Sequence, residues 1–292
     1  MTIAPHMTRR RLKVLVTGSA GLVGSRVCVD LRERGDQVVE YDRVDSRDIL
    51  DAGALDAAMQ ACDAVVHGAA LLGEAGQSDE DILAVNLRGT ENVLGSAERA
   101  GARRVVFLSS VDVLGVFKGE RAPDYLPLDD DHPCYAATAY GVAKLRAEAL
   151  CRSRASSQLS IVCLRPPGVW NDATYEWIES ERRKRAEFEW DPFWEYGAFI
   201  DIRDLSSACL RAVDARVGAF ECLLVSAADL TTSGRTAREL VDLIHPRVEW
   251  RGGPEFEREP YRSLIDIGRA RALLGWQPKH TWARFRSGRD LP

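Results

Sequence analysis

Short apolar runs alternate with longer amphipathic segments through the first half of the chain. The apolar runs are rich in β-branched residues and predict strands at 13–17, 37–41, 64–67, 104–108 and 160–164. The longer segments predict helices at 22–34, 52–61, 79–100 and 137–153. Strands that are apolar on both faces and alternate with helices are typical of a parallel sheet covered on both sides. The pattern therefore predicts an α/β fold with a doubly wound parallel sheet.

After Pro167 the alternation is less regular. The next predicted strands are 199–202 and 220–225, and the next predicted helices are 204–213, 236–244 and 268–274. Between them, residues 170–198 are rich in tryptophan and charge. This segment leaves a strand at the carboxyl edge of the sheet, where ligands bind in such folds, so one interpretation is a lid over the substrate. The other is that its tryptophans, Trp170, Trp177, Trp190 and Trp194, form the core of a small lobe.

The composition is that of an ordinary globular protein. The 292 residues are 46% hydrophobic and 28% charged, with a formal net charge of −5, which lacks the basic excess of a nucleic-acid surface. No apolar run reaches the roughly 18 residues of a membrane span, and the basic start leads into a strand rather than the core of a signal peptide. We expect a cytoplasmic protein without nucleic-acid or membrane partners.

The seven cysteines are scattered along the chain. No two of them have the C-x-x-C spacing of a zinc site, and most lie in apolar segments. We therefore expect buried, reduced thiols and no metal site.

A glycine-rich turn, 17–24, separates the first predicted strand from the first helix. Gly18 would allow the tight turn, Gly21 the close approach of a pyrophosphate, and Gly24 the close packing of helix on sheet. The helix N-terminus would present free amides and a positive dipole end to the phosphates. The turn alone is weak support, because a purely structural strand-to-helix connection has the same pattern.

An acidic residue in the right place strengthens the dinucleotide interpretation. Asp42 follows the second predicted strand, 18 residues after Gly24. A carboxylate there accepts hydrogen bonds from an adenosine ribose and repels a 2′-phosphate, which favours NAD over NADP. Arg43 is the complication, because its charge would attract that phosphate.

These features suggest how the chain is divided. We predict a dinucleotide-binding Rossmann domain at 11–168 and mainly a small C-terminal substrate-binding lobe at 169–292. The two would be interleaved, with 199–225 returning to the Rossmann domain.

Tyr140 and Lys144 are four residues apart in a predicted helix and so share one face. A lysine beside a tyrosine stabilises the phenolate, which can then exchange a proton with a substrate hydroxyl or carbonyl while a hydride moves. The competing tyrosines, Tyr125 and Tyr135, have no lysine at the same spacing. Chance occurrence on an amphipathic helix is the alternative.

Two serines, Ser109 and Ser110, end the fourth predicted strand. A hydroxyl at the carboxyl end of a strand faces the ligand crevice, where Ser110 would bind the same substrate oxygen as Tyr140. A turn or helix-capping role is the alternative for serine at this place.

Ten segments in one order make the pattern specific. They are Thr17–Gly24, Asp42, Asp48-Ile49, 67–70, 86–90, 108–115, Tyr140–Lys144, 164–169, 199–204 and 274–278. Together they resemble the extended short-chain dehydrogenase/reductase family, the NAD-dependent epimerase/dehydratase group, over about residues 12–286.

The resemblance implies a role for each matching residue. It implies a catalytic set of Ser110, Tyr140 and Lys144. It implies a cofactor site of Gly18, Ala20, Gly21, Leu22, Val23, Gly24, Asp42, Arg43, Asp48, Ile49, Ala69, Ala70, Leu71, Asn86, Ser109, Tyr140, Lys144, Pro167 and Gly168. Substrate contacts are expected from Ser110, Val111, Tyr140 and Asn171. Asp48 and Ile49 would hold the adenine, and Asn86 would support the cofactor from the long helix, unless it is only a polar residue on that helix.

The implied activity is hydride transfer at a carbinol carbon of a sugar, sugar acid or nucleotide sugar, with NAD as cofactor and a homodimer as the assembly. Some positions depart from the family. Leu114 replaces an aromatic residue, Asp201 replaces a common histidine, and the tail is similar to uronate dehydrogenases. These departures leave the substrate open. The alternatives are a ketone or aldehyde reductase and a non-catalytic dinucleotide sensor.

Overall fold

The computed structural model describes residues 10–73, 76–118, 121–184, 196–232 and 234–288. Six parallel strands form the central sheet, in the order β2-β1-β3-β4-β6-β9. They are β1 Lys13–Thr17, β2 Gln37–Tyr41, β3 Ala64–His67, β4 Arg104–Leu108, β6 Ser160–Arg165 and β9 Phe220–Leu224. Four short strands lie outside this sheet: β5 Tyr125–Leu126, β7 Val169–Trp170, β8 Ile200–Asp201 and β10 Glu249–Trp250. They form the parallel pairs β5–β10 and β7–β8.

The helices cover both faces of the central sheet. Their bounds are α1 Leu22–Glu33, α2 Ala52–Met59, α3 Asp79–Ala100, α4 Ala139–Arg154, α5 Asp172–Lys184, α6 Ile202–Asp214, α7 Ala237–Ile244, α8 Glu255–Arg258, α9 Gly268–Leu274 and α10 Trp282–Arg286. On one face α2, α3 and α4 pack together, and on the other α1 packs against α6. The predicted fold class, a Rossmann-type doubly wound sheet, is confirmed.

Strand residues alternate between the two hydrophobic cores. Leu15 and Val65 contribute to the core beneath α2, α3 and α4, whereas Val14, Val16 and Val66 contribute to the core beneath α1 and α6. Both faces of each central strand are therefore buried, which explains why these strands are apolar runs rather than alternating ones.

Helix ends follow local capping chemistry. Ser78 accepts a hydrogen bond from the Asp81 amide at the start of α3, and Gly101 ends that helix with a φ of 71°. Thr138 caps α4 in the same way through the Gly141 amide, so α4 begins two residues later than the predicted start at Ala137.

A third, smaller core lies outside the main sheet. It contains Trp170, Tyr175, Phe199 and Trp282, with the Trp170 and Phe199 rings stacked at a centroid distance of 4.6 Å. Trp177 belongs to the same segment but its side chain is 49% exposed. The other two tryptophans of this segment, at 190 and 194, lie outside the described residues.

In the described part of the chain, no helix combines the length and the apolar character needed to cross a membrane.

Candidate active site

A cleft of about 620 Å³ lies at the carboxyl edge of the sheet. The segments that follow β1, β2, β3, β4 and β6 line it, together with the start of α4. Most of the predicted site residues line this cleft: Gly18, Gly21, Leu22, Val23, Gly24, Asp42, Arg43, Asp48, Ile49, Ala69, Ala70, Leu71, Ser109, Ser110, Tyr140, Lys144, Pro167 and Gly168. Four predicted residues do not line it, namely Ala20, Asn86, Val111 and Asn171.

The three glycines of the turn have different surroundings. Gly18 has a φ of +70°, and a Cβ there would lie 2.8 Å from the Ala69 nitrogen. A Cβ on Gly24 would lie 2.0 Å from the Gly18 oxygen, so neither position admits a side chain. At Gly21 a Cβ would meet only that same oxygen, at 3.3 Å. Gly21 is also the N-cap of α1 and has no side chain to cap the first amides of the helix, and the residues of this first turn, 22–24, line the cleft.

Asp42 is tied to the glycine turn by hydrogen bonds. Its Oδ2 accepts from the Ala20 amide at 2.9 Å and its Oδ1 from the Val44 amide at 3.2 Å. A carboxylate has about four acceptor positions, so the side chain can still accept from a ligand. Ala20 thus orients Asp42 rather than lining the cleft, and Arg43 lines the cleft beside it.

A buried series of hydrogen bonds links the glycine turn to the ends of β1 and β3 and to α3. The Ala69 amide donates to Thr17 Oγ1 at 3.2 Å, and Thr17 Oγ1 lies 2.7 Å from His67 Nδ1. His67 Nε2 lies 3.0 Å from Thr90 Oγ1, which donates to the Asn86 carbonyl at 2.7 Å. Since the Thr90 proton is used on the carbonyl, His67 donates from Nε2 and accepts at Nδ1. Burial lowers the pKa of His67 to about 3, so its ring is neutral.

The side chain of Asn86 forms two hydrogen bonds with the backbone of Leu71, which lines the cleft. Its Oδ1 accepts from the Leu71 amide at 2.7 Å and its Nδ2 donates to the Leu71 carbonyl at 2.9 Å. Asn86 is buried and therefore holds the cleft-lining segment 69–71 without reaching the cleft itself. The sequence placed Asn86 in a supporting role and included Thr17, His67 and Thr90 in the matching segments, but it gave these three residues no role of their own.

Lys144 is buried beneath the cleft on α4. Its Nζ donates to the Leu108 carbonyl at 2.6 Å and lies 5.6 Å from the centre of the Tyr140 ring. Burial lowers the pKa of Lys144 to about 8. The Tyr140 side chain is half-buried and lines the cleft one helical turn earlier. This arrangement brings a cation close to a phenol that faces the ligand space.

The two serines at the end of β4 have different surroundings. Ser110 lines the cleft, and its Oγ also accepts from the Asp112 amide at 3.1 Å, so the turn-capping alternative holds as well. Ser109 is buried, although part of it lines the cleft, and its Oγ donates to Glu148 Oε1 at 2.6 Å.

A buried ion pair anchors this part of the site. Arg165 donates to both oxygens of Glu148, from Nε at 2.9 Å and from Nη2 at 2.7 Å. Burial alone would lower the pKa of Arg165, but the hydrogen bond to Glu148 raises it above its usual value. The pair fixes α4 to the ends of β4 and β6, one turn from Lys144. Sequence reasoning missed Glu148, although its spacing from Lys144 places it on the same helix face.

Two predicted substrate residues have structural partners. Val111 is fully buried, and its amide donates to the Pro166 carbonyl at 3.1 Å. Asn171 is the N-cap of α5, and its Oδ1 accepts from the Thr174 amide at 3.0 Å and hydroxyl at 2.9 Å. Within the described residues, no group of three or more His, Cys, Asp or Glu side chains could hold a metal ion.

The sequence profile of the NAD dependent epimerase/dehydratase family matches residues 14–221. The chain belongs to this family. The match runs from β1 to the start of β9 and includes every residue assigned above to the catalytic set, and the cofactor of the family is NAD. The resemblance inferred from the ten sequence segments is therefore confirmed.

Individual members of the epimerase/dehydratase family match to different extents. A 3 beta-hydroxysteroid dehydrogenase/Delta 5-->4-isomerase of Mycobacterium tuberculosis is 32% identical over 183 residues, covering 55% of this chain and 48% of the relative. The chain thus spans about half the length of this relative. A UDP-glucose 4-epimerase of Rhizobium meliloti is 28% identical over 316 residues, covering 92% of this chain and 93% of the relative.

Solved structures of similar proteins have the same fold. A short-chain dehydrogenase/reductase superfamily protein of Agrobacterium tumefaciens with bound NAD has a TM-score of 0.69 at 24% identity, covering 94% of this chain and 95% of that one. A UDP-glucose 4-epimerase of Thermotoga maritima with UDP-glucose has a TM-score of 0.67 at 20% identity, covering 94% and 99%.

Proposed function

We propose that this protein is an NAD-dependent oxidoreductase or epimerase that transfers a hydride at a carbinol carbon of a sugar-like substrate. The observation that carries the proposal is the cleft itself. Ser110, Tyr140 and Lys144 meet there at one end, and the glycine turn and Asp42 lie at the other. A dinucleotide that spans this distance would bring its nicotinamide to the tyrosine.

The residues present fit NAD. The uncapped start of α1 offers amides and a positive dipole end to the pyrophosphate, and Gly21 leaves room for its approach. Asp42 would accept hydrogen bonds from the adenosine ribose, Asp48 and Ile49 would hold the adenine, and Gly168 would lie beside the nicotinamide. When bound, NAD supplies the carbon that accepts or returns the hydride.

The chain's own residues would handle the proton. Ser110 would hold the reacting oxygen, and Tyr140 would take the hydroxyl proton in oxidation and return it in reduction. The positive charge of Lys144, 5.6 Å from the centre of the Tyr140 ring, would stabilise the phenolate that forms when Tyr140 gives up its proton. The Glu148–Arg165 pair would keep α4 in place during this exchange.

A substrate screen tests the proposal. Protein with NAD is incubated with UDP-glucose, UDP-galactose, UDP-glucuronate and the corresponding free sugars and sugar acid. NADH is followed at 340 nm, and epimers are separated by chromatography. NADH release indicates a dehydrogenase, and epimer formation without NADH release indicates an epimerase. Tight NAD binding with no turnover of any sugar would contradict the proposal and favour the sensor.

Cofactor preference gives a first prediction. We expect NAD to bind at least about tenfold more tightly than NADP, or about 1.4 kcal/mol, because Asp42 repels a 2′-phosphate. Titration of both cofactors against the same protein measures this. Asp42→Asn, which keeps the shape of the side chain and removes its charge, should reduce the difference in affinity between NAD and NADP. Equal affinities in the unmodified protein would mean that Arg43 outweighs Asp42.

A second prediction concerns Asn171, which does not line the cleft itself but lies two residues after Val169, which does. We propose that it contacts the substrate through its amide nitrogen. The capping bonds use only its Oδ1. Asn171→Asp keeps the cap and removes the amide donor, so the melting temperature should stay while kcat/KM falls about two- to tenfold, the value of one hydrogen bond. Asn171→Ala is the comparison, because it loses cap and donor together. Unchanged kinetics in both variants would move the substrate contact elsewhere.

We also propose the domain division predicted above, with 11–168 binding the dinucleotide and 169–292 mainly the substrate. Support for the return of 199–225 to the first domain comes from β9, which completes the central sheet, and from α6, which packs against α1. The short strand β8 pairs instead with β7, outside that sheet. We further propose that the protein acts in the cytoplasm and that it assembles as a homodimer. Light scattering of the purified protein, which measures its molar mass, tests the homodimer.

A further inference from the structure

Few charged side chains line the cleft. Those at the β2 end are Asp42, Arg43, Arg47 and Asp48. At the opposite end, beside β4 and β6, the charged residues among the described lining are Lys144 and Asp112. Lys144 already has a role beneath the tyrosine, whereas nothing above gives one to Asp112.

Asp112 lies two residues after Ser110, in the 3₁₀ turn Val111–Leu114. Its side chain is only 8% exposed, and its Oδ2 accepts from Lys118 Nζ at 2.5 Å. The hydrogen bonds of the described residues leave Oδ1 without a donor. Because Asp112 lines the cleft, this oxygen has the capacity to accept a hydrogen bond from a ligand hydroxyl.

The backbone brings this turn against the start of α4. A Cβ on Gly141 would lie 2.7 Å from the Asp112 carbonyl oxygen, so only glycine permits the contact. Gly141 directly follows Tyr140, and the Ser110 hydroxyl caps the amide of Asp112. Asp112 is therefore held beside both groups that would bind the reacting oxygen.

We propose that Asp112 determines substrate specificity, by accepting a hydrogen bond from a hydroxyl next to the reacting carbinol and by excluding substrates with an anionic group there. The substrate class is a neutral polyhydroxylated sugar, free or nucleotide-linked, rather than a uronate. This inference rests on the proposed function. A substrate carboxylate at this place would lie close to the carboxylate of Asp112, and like charges in close contact repel each other. Lys118, which pairs with Asp112 and does not line the cleft, is 43% exposed and offsets this charge only in part.

The test is a ratio of kcat/KM values for UDP-glucose and UDP-glucuronate, or for glucose and glucuronate if only free sugars react. The unmodified protein should prefer the neutral sugar. Asp112→Asn keeps the shape and removes the charge, so the ratio should move toward the acid by about tenfold or more, with the Kd for NAD within about twofold. Lys118→Met should move the ratio the other way. Asp242→Asn, at an exposed side chain on α7, makes the same charge change away from the cleft and should leave the ratio unaltered.

Two results would overturn the role of Asp112. One is an Asp112→Asn variant that folds, turns over both substrates and keeps the original ratio. The other is an unmodified protein that prefers the uronate. If the unmodified protein binds NAD but turns over no sugar at all, the proposed function itself fails, and this inference fails with it.

Discussion

Tyr140→Phe should lower turnover by about two to four orders of magnitude, because general acid–base catalysis contributes on that scale. The variant loses only the hydroxyl, so α4 and the buried Lys144 should remain in place, and NAD should bind with unchanged affinity. Turnover is followed by NADH absorbance or epimer formation, and NAD binding by titration.

Tyr135→Phe is the matched control for this prediction. Its hydroxyl donates to Asp124 Oδ2 at 2.7 Å, and Tyr135 is not among the described residues that line the cleft. This variant should keep full turnover. If Tyr140→Phe retained activity within about threefold of the unmodified protein, the phenol would not be the acid–base group, and Ser110 or a bound water would have to replace it.

The sequence predicted the central sheet well because its information there is local. Each inner strand is an apolar run, so β1, β3 and β4 begin and end at the predicted residues. The long helix α3 was also predicted at both ends, since Asp79 follows a capping serine and Ala100 precedes a glycine with positive φ. Signals of this kind depend on neighbouring residues and need no knowledge of the fold.

The supporting groups of the site depend instead on strand register. Thr17 lies opposite His67 only because β1 and β3 pair in parallel with those residues aligned. Likewise, Glu148 meets Arg165 because α4 packs across the end of β6. Seventeen to fifty residues separate these partners along the chain. Spacing rules for a single helix or strand therefore could not reveal them.

The lobe after β6 was the least predictable part. Helix α5 buries only Tyr175 and Ile178, so its apolar stripe is too narrow to stand out from the charges around it. The sequence left open whether the tryptophans of this segment form a lid or a core. The structure gives two of these tryptophans different environments. Trp170 is 5% exposed and belongs to the third core, whereas Trp177 is 49% exposed.

The different burial of Trp170 and Trp177 predicts that replacing each with alanine will change the free energy of unfolding by very different amounts. Trp170→Ala removes a ring stacked on Phe199 at 4.6 Å and in edge contact with Tyr175 at 5.4 Å. The loss of a buried tryptophan should lower the free energy of unfolding by about 3–5 kcal/mol. Trp177→Ala removes the same atoms from a half-exposed position and should cost less than about 1 kcal/mol.

Urea unfolding of both variants checks this prediction, provided that the slope of each transition is unchanged, so that a shift in midpoint reports stability alone. NAD affinity serves as a second readout, since the third core lies outside the central sheet and its loss should weaken substrate binding before cofactor binding. Equal destabilisation by the two variants would contradict the core assignment. A Trp177→Ala variant with normal stability and a raised KM would assign the exposed ring to the lid, because only a ring that contacts substrate changes kinetics without changing stability.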